Sequence, residues 1–306
     1  MILALGSLAD ETFSYTVKRL ATLGHTVHVI DQALLVCCGF FELHCRPDLR
    51  SRLVALEKEF RLANYDAIYV RLTDISNGSP DLRTGERCRA MYYALTEVLT
   101  HVPYRVLNPP LGDSSNFSKL LHTKVWSSLG LRIPESCLTN EPDAARRFIE
   151  KWNGNVIFKG ASATKTWVST VEARHMSRLD SLRSSPVLFQ QKINGPDVRI
   201  HVVNSRVFAE QIVAPVVDYR NARGKNVYTP ALVPSPISAA CLQISEGASQ
   251  PLMGIDFKIE EKTGEWYFLE ANSMPCYQAY DKRAHGKISE AISEYLLGAD
   301  GNNRMR

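Results

Sequence analysis

The residues that could do chemistry converge on one stretch, 253–276. Two runs rich in β-branched and aromatic residues flank a turn at Thr263-Gly264, which predicts a β-hairpin, 254–259 up and 265–271 down. Asp256 falls near the start of the first strand, and Glu270 and Asn272 fall at the end of the second. A hairpin brings those two ends together, and residues two apart share one strand face. Three oxygen ligands would then meet at one edge of a sheet. Hard oxygen donors suit Mg²⁺, which keeps several waters and takes further ligands from substrate phosphates. The alternative is that acidic residues at hairpin ends simply face water.

Other segments could serve the same chemistry. Val156-Ile157-Phe158 is a strand that delivers Lys159, followed by the small and hydroxylated run 160–166. Small residues let backbone N–H groups approach phosphate oxygens, and hydroxyls add donors. The run is not a P-loop, since GxxxxGK[ST] is absent, and a turn between strands explains it as well. Asp197 and Arg199 open a strand and share a face. They could pair with each other, or Asp197 could face a nucleotide and Arg199 a phosphoryl group. Arg71 ends the strand 66–71, at the edge where open α/β sheets bind ligands, and could hold a substrate carboxylate or face solvent. The polar, basic segment 218–230 reads as a mobile loop of the kind that closes over anions, or as a solvated charge run.

The elements that must position these residues follow from periodicity. A short apolar run at 2–5, helical spacing over 10–22 and the strand 26–30 make β-α-β, the opening of a parallel sheet. Gly6-Ser7 lacks the later glycines of a dinucleotide fingerprint. A helix at 85–99 and a strand at 104–107 complete this unit, and Asn108-Pro109-Pro110 closes it. Helices are expected at 113–130, 141–152, 236–249 and 286–297, and strands at 187–191, 197–203 and 207–213.

The bulk numbers narrow the classes. At 306 residues the chain is too long for one small core. A net charge of +4 is too weak to argue for nucleic acid. The cysteine count is odd, seven, with no CxxC. No signal peptide opens the chain and no apolar run nears a membrane span, so a cytoplasmic protein with free thiols is expected. No Ser-His-Asp or Cys-His signature is evident.

Taken in order, Lys124 on a helix, Lys159 with its small-residue loop, Phe189-Gln190-Gln191-Lys192-Ile193, Asp197-x-Arg199, Asp256 and Glu270-Ala271-Asn272 resemble the ATP-grasp ligase superfamily. The series is most similar to the glutathione synthetase and RimK-like branch, which includes macrocyclising ligases of ribosomal peptides. Asp218-Tyr219-Arg220 resembles that branch specifically. The likeness covers about 110–295 well and the first 110 residues loosely.

The resemblance implies a mixed α/β fold. It would comprise a parallel α/β domain (1–110), a small central ATP-binding lid domain (111–195), a catalytic domain with an antiparallel sheet (196–298) and a tail (299–306). It implies that Lys124 and Lys159 contact ATP phosphates, that Gln191, Lys192 and Ile193 form the hinge read by adenine, and that Asp197 reaches the ribose. Arg199 would neutralise the transferred phosphoryl group, with Arg220 as a second catalytic cation, while Asp256, Glu270 and Asn272 hold Mg²⁺. The loop after Lys159 has one glycine where relatives have several, so Ser162 and Thr164 would grip phosphate instead. Ser273 and Cys276 stand where relatives usually carry proline and glycine. Ser273 and Tyr280 would line the acceptor site. The activity implied is ATP- and Mg²⁺-dependent joining of a carboxylate and an amine through an acyl phosphate, in amino-acid-derived natural-product or peptide modification. The modest charge favours a small substrate over a large peptide. Closure of a small amino-acid-derived ring or a peptide macrocycle, and nucleotide binding without turnover, stay open. Neither nucleic acid nor membrane is an expected partner, and a homodimer is expected by resemblance alone.

Overall fold

The structure is a computed structural model that describes residues 1–44, 51–102, 104–110, 124–125, 127–160, 168–221 and 224–298. The chain begins β1 (Ile2–Gly6), α1 (Glu11–Thr22), β2 (Val27–Asp31), α2 (Gln32–Cys38), β3 (Phe40–Glu42), β4 (Arg52–Ala55), β5 (Lys58–Arg61), β6 (Ala67–Arg71), α3 (Leu82–His101) and β7 (Arg105–Leu107). β2-β1-β6-β7 form a parallel sheet, and β3-β4-β5 a small antiparallel one that sequence periodicity did not reveal. Asp10 starts α1 by accepting the Phe13 N–H at 2.8 Å, the usual means of satisfying a first-turn donor. That fixes the helix so that Phe13, Thr16 and Leu20 face inward.

Next come β8 (Ser136–Thr139), α4 (Pro142–Lys151), β9 (Val156–Gly160), β10 (Ser169–Thr170), α5 (Ala173–Met176) and β11 (Val187–Gln191). They form an antiparallel sheet in the order β10-β9-β11-β8, with Phe148, Ile149, Val156 and Phe189 packed on one face. The opposite face carries Lys159 and Gln190.

The last segment contains β12 (Asp197–Val203), β13 (Arg206–Val213), β14 (Val227–Pro230), α6 (Ser235–Gly247), β15 (Leu252–Ile259), β16 (Trp266–Asn272), α7 (Gln278–Arg283) and α8 (Lys287–Leu297). The sheet runs β14-β13-β12-β15-β16 and is antiparallel throughout. Val198, Ile200, Ile255, Phe257 and Phe268 face α6 and its Cys241 and Ile244. The alternation of a strand then sends Asp197, Arg199, His201 and Asp256 to the other face. α8 packs between the N-terminal parallel sheet and the last antiparallel sheet, since Ile288 and Ile292 share a cluster with Ile2, Ala4, Val203 and Leu252. Its N-terminus is held by Asp281, which accepts the Ile288 and Ser289 N–H groups at 2.9 Å each.

The segment 218–230 is not simply a loop, because 227–230 adds β14 to the sheet edge. The expected helix 113–130 lies largely outside the described residues, as does the tail 299–306. The six cysteines described carry free thiols. Among the described residues, no helix is long and apolar enough to cross a membrane.

Candidate active site

The hairpin strands place their polar residues in register. Asp256 lies opposite Glu270, and Gly254 lies opposite Asn272. The pairing slips between Asp256 and Phe257, so that Leu269 is an extra residue, a β-bulge. The slip decides which way Glu270 and Asn272 point. Trp266, Phe268, Glu270 and Asn272 have one parity, and a regular strand would send all four to one face. The bulge leaves Phe268 in the core against Phe257 and turns Glu270 and Asn272 to the face that carries Asp256.

On the other side, Asp256 is paired with Arg199, whose Nη1 donates to Asp256 Oδ2 at 2.7 Å. Asp197 and Arg199 do not pair with each other. Asp197 accepts from Lys258 Nζ at 3.1 Å, and Lys258 also donates to the Gly195 carbonyl at 2.9 Å. Asn272 donates its amide N–H to Glu270 Oε1 at 3.3 Å, which leaves the amide oxygen available as an acceptor or a metal donor.

Burial and charge set the protonation states. Burial pushes the Asp256 carboxyl up to about 6, against the pull of Arg199. Burial acts the same way on Glu270, but Lys159, the Asn272 amide, Arg220 and Arg199 outweigh it and hold that carboxyl below the usual glutamate range. Burial opposes charge on Arg199 too, yet Asp256 and Tyr219 keep it firmly protonated. Lys159 from the middle sheet, Arg199 from the last one and Arg220 from the turn between β13 and β14 thus act on a single carboxylate. Asp256 Oδ1 is buried without a hydrogen-bond partner. A carboxylate oxygen left so is costly unless something positive meets it. Two carboxylates and an amide oxygen are the donor set of a hard divalent cation. The residues therefore fit Mg²⁺. No group of three His, Cys, Asp or Glu placed to hold a metal ion occurs among the described residues, and the third candidate donor here is the amide of Asn272.

The remaining expected residues are placed as follows. Arg220 grips Asp218 with two bonds, Nε at 2.7 Å and Nη2 at 2.8 Å, and feels Glu270 and Asp256. Lys159 Nζ donates to Gln190 Oε1 at 3.2 Å. Lys124 is exposed and lines a groove of about 630 Å³ with Ser136, Trp152, Gln191 and Tyr267. Asp256, Glu270 and Asn272 do not line that groove. Gln191 N–H already donates to Glu135 O at 2.8 Å and Lys192 N–H to Asn155 O at 3.0 Å. Sheet-like pairing has taken these donors, and Ile193 is buried. Ser162 and Thr164 lie outside the described residues.

Arg71, expected to hold a substrate carboxylate or to face solvent, does not face solvent. Its guanidinium is buried, donating to Asp10 Oδ2 at 3.0 Å and to the Pro275 carbonyl at 3.4 Å. Arg71 ends β6, as expected, and its Nε meets Asp10 from the β1–α1 turn. Ser273 offers its carbonyl to Asn108. The Tyr280 ring lies 4.7 Å from that of His201, and its hydroxyl bonds Tyr219.

Sequence reasoning passed over three residues here. Lys258 was legible in principle, being two residues from Asp256 on the same face. His201, likewise two from Arg199, is 1% exposed with Nε2 unpartnered. Asn108 gave no signal beyond marking a boundary.

The profile of the RimK-like ATP-grasp domain matches residues 117–296. The chain belongs to the RimK-like ATP-grasp family. Members are ADP-forming ligases that bind ATP and magnesium and make amide bonds. A coenzyme γ-F420-2:α-L-glutamate ligase of Methanococcus maripaludis is 29% identical over 212 residues, 62% of this chain and 70% of that protein. Among solved structures, the macrocyclase MdnC of Microcystis aeruginosa with precursor peptide MdnA superposes with a TM-score of 0.81 at 19% identity, covering 97% of this chain and 99% of that one. A Chryseobacterium gregarium RiPP-associated ATP-grasp ligase, with ADP and leader and core peptides, gives 0.79 at 22%, covering 99% and 98%. The ligase PsnB with its minimal precursor, Mg and ADP gives 0.78 at 23%, covering 96% and 98%.

Proposed function

We propose that this RimK-like ATP-grasp ligase activates a carboxylate on a peptide as an acyl phosphate and joins it to an amine, releasing ADP and phosphate. One observation carries the reading: Glu270 is kept ionised by Lys159, Arg220 and Arg199, with the partly orphaned Asp256 directly opposite. A mixed array of this kind suits a nucleoside triphosphate and its cation.

A carboxylate does not condense with an amine at neutral pH, because oxide is a poor leaving group. The carboxylate oxygen attacks the γ-phosphorus, the bond to the β-phosphate oxygen breaks and ADP leaves. The amine then attacks the acyl carbon, phosphate departs with the carbon–oxygen electron pair, and the amine proton passes to solvent. Magnesium, held by Asp256, Glu270 and Asn272, would neutralise charge on the phosphates. Lys159 and Lys124 would bind phosphate oxygens, and Asp197, with Lys258 beside it, would face the ribose. Arg199 would stabilise the transferred phosphoryl group and then the tetrahedral oxyanion. None of these steps needs a covalent nucleophile from the protein.

Peptide is favoured over a small amino acid because the folds that superpose over nearly the whole chain include complexes with precursor peptides. The glutamate ligase likeness favours the second reading, an amino acid added to a small carboxylate. Whether the amine lies on the same molecule, closing a ring, is a further outcome of the test.

The experiment supplies ATP, Mg²⁺ and either ¹⁸O-carboxylate-labelled acidic peptides or pooled labelled amino acids. Label appearing in released phosphate reports the acyl phosphate, and product mass distinguishes ring closure from joining. Arg199→Ala and Glu270→Ala are each expected to abolish substrate-dependent phosphate release with the fold retained by circular dichroism. Parent-like turnover in either sinks the assignment, and tight ADP binding without phosphate release in any pool would mark a binding module.

A further inference from the structure

The segment 273–276 leaves β16 directly after Asn272, and two side chains from the N-terminal parallel sheet hold it. Asn108, just past β7, is 8% exposed. Its Oδ1 accepts the Leu252 N–H at 2.9 Å, and its Nδ2 donates to the carbonyls of Leu252 and Ser273, both at 2.6 Å. Leu252 opens β15, and Ser273 follows the end of β16. A single carboxamide therefore ties both strands of the hairpin at the end where Gly254 faces Asn272. Both N–H bonds of the carboxamide are used, each toward a different strand, so the tie fixes direction as well as distance.

Arg71 holds the next part of the segment. Besides Asp10, it donates from Nη1 to the Pro275 carbonyl at 3.4 Å, and Nη2 lies 3.8 Å from Cys276 Sγ. Pro275 in turn borders Arg199. A Cβ placed on Gly254 would stand 2.8 Å from Pro275 Cβ and 2.0 Å from Arg199 Nη2. Asn108 and Arg71 therefore act on the segment that begins at the Asn272 ligand and ends as a wall beside Arg199.

We infer that Asn108 and Arg71 are positioning residues for the ligase site, aiming Asn272 at the cation and setting the wall beside Arg199. The inference rests on the roles given to Asn272 and Arg199 above. Neither residue needs to touch nucleotide or acceptor. The device is physically apt because the segment is short and the Pro275 carbonyl, if released, would be buried without a partner. Hydrogen-bond partners that orient a metal ligand typically change metal affinity or activity about 10–100-fold when removed.

The test uses the full chain with Asn108→Asp, which puts an acceptor against two carbonyls, and with the milder Asn108→Ser and Arg71→Lys. ADP binding is measured by calorimetry with and without Mg²⁺, beside thermal stability and, with the acceptor pool that supports turnover, kcat and nucleotide KM. The expected result is parent-like ADP affinity without Mg²⁺, an about 10–100-fold loss of the Mg²⁺-dependent gain for the Asn108 variants, and a fall in kcat for all three. Lowered thermal stability with an unchanged Mg²⁺ titration and unchanged kcat would show a merely structural staple and overturn the inference. Glu270→Gln separates the two levels. If it weakens Mg²⁺-dependent ADP binding while Asn108→Ser and Arg71→Lys, both folded, behave as the parent, only the positioning inference fails. If Glu270→Gln also binds as the parent, the metal-site reading fails with it.

Discussion

Gly254→Ala tests the site through one added methyl group. Gly254 is not among the residues with positive φ, so its backbone accepts alanine and the effect is steric alone. The new Cβ would meet Arg199 Nη2 at 2.0 Å, Arg199 Cζ at 2.5 Å and Pro275 Cβ at 2.8 Å. Ordinary contact needs about 3.5–4.0 Å, so the guanidinium must retreat by about 1.5–2 Å. Its 2.7 Å bond to Asp256 would then stretch to about 4 Å or beyond, the limit of an ion pair. If the pair parts, a buried carboxylate and a buried guanidinium lose each other at up to about 3–5 kcal/mol. A misplacement of about 1 Å at a reacting centre is worth about 100-fold in rate, so kcat should fall about 100-fold or more. ADP binding without Mg²⁺ should stay near the parent's, because Asp197 and the hinge are untouched. The assay is phosphate release in the acceptor pool that sustains the parent. Gly78→Ala, whose Cβ meets nothing within 4 Å, is the silent control. A folded Gly254→Ala enzyme within threefold of the parent kcat would refute the placement of Arg199 at the reacting phosphoryl group.

Three further predictions concern stability and pH. Burial first, then Arg199 and Arg283, hold the His201 imidazole well below its ordinary 6.5, so the native state binds fewer protons than the unfolded chain. Stability is then lost as pH falls below 6.5, by up to about 1.4 kcal/mol per pH unit. His201→Phe removes this component and the unpartnered Nε2; urea midpoints at pH 7.5 and 5.5 should shift less in the variant, and equal shifts would contradict the argument. Asp281 is fully buried and accepts from Tyr15 Oη at 2.8 Å as well as the start of α8. Asp281→Ala should destabilise by about 3–5 kcal/mol, seen as a lower urea midpoint, and a change under 1 kcal/mol would show that water replaces the carboxylate. Gly195 has φ +139°, and a Cβ there would stand 2.0 Å from the Ile259 carbonyl oxygen. Backbone cannot swing aside as a side chain can, so Gly195→Ala should destabilise by about 2–4 kcal/mol; a parent-like urea midpoint would show that the turn can rearrange.

Much of this site was legible in the residues. The alternation of Asp197, Arg199 and Asp256 with Val198, Ile200 and Ile255 fixes which side chains face the same way, because strand side chains repeat with period two. The Thr263-Gly264 turn between two apolar runs fixes which strands pair. Periodicity alone could not show the bulge at Leu269. Trp266 and Phe268 share parity with Glu270 and Asn272, and it took packing of Phe268 against Phe257 to turn the last two residues toward Asp256. Nor could it show that Lys258 takes Asp197, that Asp10 takes Arg71, or that Asn108 reaches a hairpin about 145 residues away. Local pattern determines the face of a strand, because that depends on neighbours in the chain. Partnership between charges depends on which elements meet, and only the folded core brings those elements together.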